Sequence, residues 1–164
     1  VRNFFPPISF ATYVDAAPEA VYETLTTGSG WDRWFTRGTY LDLKKRIIVF
    51  SWKDLGPRKI SAEETAVIVD WRENQLFSFS WHAEDLPHPT LVTLRLAPKG
   101  TGTILSVSDE GYPRSAEGER FYHDCATGWA EALTLLKVNL EVGYTYRNWG
   151  AAGETFENHY QGEQ

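Results

Sequence analysis

The chain has a single cysteine and no methionine in 164 residues. One thiol cannot close an intramolecular disulfide, so no disulfide framework is available. Cys125 falls on the apolar side of a helical pattern and reads as a buried, inert thiol of a reducing compartment. No apolar run approaches the roughly 20 residues that cross a bilayer, and no membrane partner is expected. The opening residues lack the basic-then-apolar pattern of a secretory leader, so the cytoplasm is the expected compartment. Positive charge is scarce as well: 16 Lys and Arg against 22 Asp and Glu leave a net charge of −6. An acidic surface repels phosphate backbones, and the densest basic run, Lys44-Lys45-Arg46, reads as a solvated turn; nucleic acid is excluded as a partner. Phosphate loops are missing too, since Gly28-Ser29-Gly30 lacks the accompanying lysine and Gly100-Thr101-Gly102 is a hairpin turn. No Gly-x-Ser-x-Gly elbow occurs, which leaves nucleophilic catalysis without a foothold.

Aromatic rings, by contrast, are abundant: 7 Trp, 8 Tyr and 9 Phe make up 15% of the chain. Rings of this size build either a dense core or the wall of a pocket. The length suits one domain with a substantial core, expected over residues 1–142, followed by a tail over 143–164.

The pattern along the chain supplies the elements. Ile8, Phe10, Thr12 and Val14 alternate with smaller or polar residues, as a strand does. Pro18 and Glu19 suit the first turn of a helix that presents Val21, Tyr22 and Leu25. Gly28-Ser29-Gly30 is expected to break that helix, with a second short one over Trp31 to Thr36. Strands follow at Tyr40–Leu43, Ile47–Lys53, Ile60–Trp71, Leu76–Ala83, Thr90–Ala97 and Thr103–Asp109, joined by short turns that favour antiparallel pairing. A long helix is expected from Glu117 to Glu141. Its stripe is Phe121, Cys125, Trp129, Ala132, Leu136 and Leu140.

That order of elements carries a resemblance, supported locally by several runs. These are Ala17-Pro18-Glu19-Ala20-Val21-Tyr22, Trp34-Phe35, Leu76-Phe77-Ser78-Phe79-Ser80-Trp81, Gly102-Thr103-Ile104-Leu105 and Gly128-Trp129. The chain resembles the START-like (SRPBCC) superfamily over about Ile8 to Val142, and within it the branch similar to the C-terminal domain of the heat-shock ATPase activator. The resemblance implies an α+β helix-grip fold, in which a curved antiparallel sheet wraps a long C-terminal helix and two short helices follow the first strand. It also implies functions ranging from carriers of hydrophobic molecules to cyclases and co-chaperones. One departure is visible: Leu43-Lys44-Lys45-Arg46 stands where that branch carries a Gly-Gly pair.

Alternation places Ile48, Phe50 and Trp52 on one face of their strand, and Phe77, Phe79 and Trp81 on one face of theirs. Val92, Leu94 and Leu96 do the same, as do Leu105 and Val107. Turned inward, these faces surround Trp129 and Leu133. The leading expectation is non-catalytic binding of a small hydrophobic or aromatic molecule in a cavity of roughly 300–1,000 Å³. Its wall would be Trp34, Phe50, Trp52, Phe79, Trp81, Leu94, Leu105, Trp129 and Leu133. The competing expectation is that close packing fills this space with rings. Two further readings stand beside it. One is a co-chaperone-like interaction module, with a chaperone as partner. The other is a cyclase- or hydrolase-type enzyme that sets Glu64 beside Tyr40 or His82. Glu63-Glu64 and Asp109-Glu110 each offer one carboxylate that could face inward and have a raised pKa. His82, Glu84, Asp85 and His88 match no compact zinc spacing, so neither metal nor cofactor is expected. The aromatic residues of the tail pack on the chain itself or on a second subunit in a homodimer.

Overall fold

The computed structural model describes residues 3–55, 60–83 and 85–145. Strand β1 (Ile8–Val14) leads into helices α1 (Pro18–Thr26) and α2 (Gly28–Asp32). Six strands follow: β2 (Tyr40–Asp42), β3 (Ile47–Leu55), β4 (Ile60–Arg72), β5 (Leu76–Trp81), β6 (Thr90–Lys99) and β7 (Gly102–Glu110). Helix α3 (Ala116–Val142) completes the order. The seven strands form one antiparallel sheet in the order β1-β7-β6-β5-β4-β3-β2. The first strand closes against the last, so neighbours in sequence are neighbours in the sheet everywhere except at β1. This is the expected α+β helix-grip fold, with the sheet curved around α3. No helix among the described residues is long and apolar enough to cross a membrane.

Register explains why one face is apolar. Ile8, Asp109, Val92, Phe79 and Ile68 stand side by side across five strands. Residues two positions along, such as Val107, Leu94 and Phe77, form the next row. Cross-strand partners share a face, so a single carboxylate, that of Asp109, sits in a row otherwise built of hydrocarbon.

Helix α1 starts on Pro18 with Glu19 in its first turn and buries Val21 and Leu25. Helix α2 begins earlier than its sequence suggests. The Thr27 hydroxyl accepts the Gly30 amide at 3.0 Å and caps it, so the glycines that follow the end of α1 also open this helix. A Cβ on residue 30 would run into the Thr24 backbone; the two helices approach this closely because residue 30 is glycine. Trp31 and Trp34, just beyond, are fully buried, and the Trp31 indole donates to the Leu25 carbonyl at 2.7 Å.

The turn between β2 and β3 places Arg46 at φ 55°, a left-handed conformation that glycine adopts at lower cost. Arg46 is held there by a 2.8 Å bond to the Val69 carbonyl and by its guanidinium lying 4.8 Å from the Trp71 ring centre.

Helix α3 is capped at its start by Ser115, whose hydroxyl accepts the Gly118 amide at 3.1 Å. It ends on Gly143 at φ 71°, the usual left-handed stop. Trp129, Ala132, Leu133 and Leu136 are buried, whereas Phe121, Tyr122, Cys125 and Ala126 are only half-buried. The first half of α3 is therefore less completely covered by the sheet than the second. The tail from residue 146 onward lies outside the described residues, as do Gly56, Pro57 and Arg58 of the second turn and Glu84 of the histidine-bearing loop.

Candidate functional site

Close packing takes most of the interior. Trp31 contacts Trp34 and Phe50 at centroid separations of 4.8 and 4.9 Å, and Phe50 meets Phe79 at 5.3 Å. Of the nine residues expected to line a cavity, Trp34, Phe50, Phe79, Leu94, Leu105 and Leu133 have no exposed surface at all. They lie in this packed core. Trp129 is nearly as deeply buried.

The remaining two, Trp52 and Trp81, border a cleft of about 180 Å³ beside the half-covered start of α3. Strands β3 to β6 contribute Trp52, Glu64, Trp81 and Thr90, the β5–β6 connection Ala83 and Leu86, and the α3 side Tyr112, Phe121 and Cys125. Leu86, Thr90 and Tyr112 are buried and form the floor; Glu64 is the exposed member and marks the mouth. The cleft falls short of the roughly 300 Å³ at which drug-sized pockets begin.

Polar groups converge behind the floor. Asp109 is completely buried, and its Oδ2 accepts the Tyr112 hydroxyl at 2.7 Å and the Trp129 indole N–H at 2.9 Å. These bonds join β7, the β7–α3 connection and α3. The turn that makes them possible runs through Gly111 at φ 112°. Oδ1 of Asp109 and the indole N–H of Trp52 are buried without a hydrogen-bond partner among the described residues. Burial raises the Asp109 pKa above the ordinary carboxyl value, and the Trp129, Tyr112 and Thr90 donors oppose the shift only in part. Desolvation also raises the Tyr112 phenol, which Asp109 reinforces. Cys125 is pushed up to about 11, chiefly by burial, with Asp109 and Glu64 adding to the rise. Its thiol stays protonated at neutral pH and is no nucleophile. Glu64 is raised by desolvation alone.

The enzyme pairing fares differently at each residue. Tyr40 stands opposite Val49 and Val49 opposite Thr65, whereas Glu64 stands opposite Phe50. Tyr40 and Glu64 therefore face opposite sides of the sheet, and the Tyr40 hydroxyl bonds Asp42 instead. The His82 ring is taken up by the Leu86 carbonyl at 2.7 Å. Among the described residues no three metal-ligating side chains come together. Glu64 does face inward, and Asp109 does so more completely. Asp109 was legible in principle, because it continues the inward alternation of Leu105 and Val107. Thr90 likewise continues the inward alternation of Val92, Leu94 and Leu96, whereas Tyr112 carries no signal of that kind.

A curved sheet gripping one long helix, with a small cleft at the helix start, defines a helix-grip domain. The chain belongs to the family described as activator of Hsp90 ATPase homolog 1-like protein, whose profile matches residues 15–141. Its fold is similar to that of the Aha1 dimer from Colwellia psychrerythraea, at 20% identity and a TM-score of 0.68, covering 85% of this chain and 98% of that one. It is likewise similar to protein SSP2350 from Staphylococcus saprophyticus, at 21% identity and TM-score 0.69, covering 86% and 96%. CalU16 from Micromonospora echinospora, at 24% identity and TM-score 0.64, is covered over 74% of its length by 82% of this chain. At such identities the likeness is one of fold. No curated protein matches the chain in sequence.

Proposed function

We propose that this protein binds a small hydrophobic or aromatic molecule in the cleft between the sheet and the first half of α3. The observation that carries this reading is a cleft of about 180 Å³, open at Glu64 and walled by Trp52 and Trp81. A gap of roughly 150 Å³ accommodates benzene, so the occupant is a one-ring molecule rather than a lipid chain. Its affinity would come from burial of apolar area, at about 25 cal/mol per Å².

In a 15N-labelled sample titrated with toluene, the indole signals of Trp52 and Trp81 should shift and saturate while that of Trp31 stays in place. Filling the gap by Ala83→Trp should abolish the shifts in a folded protein. Unmoved indole signals in the unaltered chain would overturn the proposal.

A second reading, a co-chaperone-like module, draws on the family match and on the outer face of β4. Val67 and Val69 are 57% and 45% exposed there, an apolar strip available to a chaperone or to a second copy. Val67→Lys should weaken capture of Hsp90 or shift sedimentation from dimer to monomer. An unchanged result in both assays removes this face from the interaction.

A further inference from the structure

Resting on the reading of the cleft as a binding site, we infer that its ligand is a small organic cation, an ammonium group bearing one apolar ring, with Glu64 as counter-ion. Size sets the first limit, since about 180 Å³ leaves room for one ring. Charge sets the second. Glu64 is the sole charged side chain among the cleft's lining residues, and among the described residues it has neither a hydrogen bond nor an ion-pair partner. The completely buried Asp109 lies one side chain behind the floor, bonded to Tyr112.

Among the described residues, the cation beside the lining residue Phe121 is paired elsewhere. Arg120 lies 5.1 Å from the Phe121 ring centre and pairs with Asp85 at 3.1 Å.

The three ligand charge types fare differently against this lining. An anion would meet the Glu64 carboxylate, which repels it. A neutral hydrocarbon would cover Glu64 without giving it a partner, and a desolvated, unpaired carboxylate is costly. An ammonium supplies the missing partner. Trp52, Trp81 and Phe121 line the cleft, and aromatic rings attract a cation through the negative quadrupole of their faces, tryptophan most of all. The same walls that favour a hydrophobic ring therefore favour a charged one more.

The test compares phenyltrimethylammonium with its uncharged isostere tert-butylbenzene on the full chain, read by the Trp52 and Trp81 indole signals. The cation is expected to bind about tenfold more tightly or better. Glu64→Gln should reduce that preference to about threefold or less. Trp52→Leu, which keeps the wall apolar but removes the quadrupole, should lower it as well. Equal or tighter binding of tert-butylbenzene, or a preference that survives Glu64→Gln, would overturn the cation and leave the cleft standing as a site for neutral rings. If neither compound binds, the cleft reading fails and the inference fails with it.

Discussion

Asp109 continues the inward alternation of β7, yet it carries a carboxyl where the pattern otherwise delivers apolar groups. Trp129 and Tyr112 share its Oδ2, so the side chain pins α3 to the sheet, while burial raises its pKa. The sign of the pH effect follows. Its contribution is complete below the unfolded pKa, near 3.8, and is lost as pH rises through the higher folded value, because the unfolded chain releases the proton first. Asp109→Asn keeps an acceptor for both donors and cannot ionise. Urea unfolding across pH should show the unaltered protein losing stability relative to this variant as pH rises from about 4 upward; parallel curves would remove the burial penalty assigned to the carboxylate. Cys125 follows the same logic. With its thiol at about 11, alkylation by iodoacetamide at about pH 8 should be far slower than that of an unperturbed thiol, and a rate matching free cysteine would contradict its burial.

Among the elements, α3 has the most to lose at its start, where its apolar stripe is half-covered. Ser115→Ala removes the hydroxyl that accepts the Gly118 amide and should cost about 1 kcal/mol in urea unfolding. A loss near zero would mean that water replaces the cap without penalty. The elements differ in how plainly their residues announce them. The strands were legible because period-2 alternation is dense in aromatic and branched residues, and α3 because its stripe holds over several turns. Helix α2 began earlier than expected because its start depends on Thr27 capping across the glycines and on α1 packing against Gly30. Neither contact leaves a local pattern.

For the molecule as a whole, core and cleft respond differently to truncation of a side chain. Leu94→Ala opens a hole in a fully buried row and should cost about 2–5 kcal/mol of stability while leaving the toluene titration unchanged in the folded protein. Trp81→Ala, at the cleft, should weaken ligand binding beyond its effect on stability. Equal effects of the two variants on binding would mean that cleft and core are not separable. Both of these indole- or leucine-bearing positions were legible as inward-facing; which of them packs and which lines a gap was not.

Alternation and helical period, read residue by residue, determined which side chains face the interior, because those signals depend only on neighbours along the chain; the helix-grip fold followed from the order of elements through its resemblance to a known superfamily. They also marked Phe50, Phe79 and Leu94 as inward without showing that rings from α2 and β3 would fill the space around them. Only the tertiary structure decided that the gap lies at the start of α3, that Tyr112 and Thr90 floor it, and that Glu64 stands at its mouth while Tyr40 faces away. Those outcomes depend on register between distant strands and on how far a helix stands from a sheet, quantities set by packing volumes that no local pattern carries.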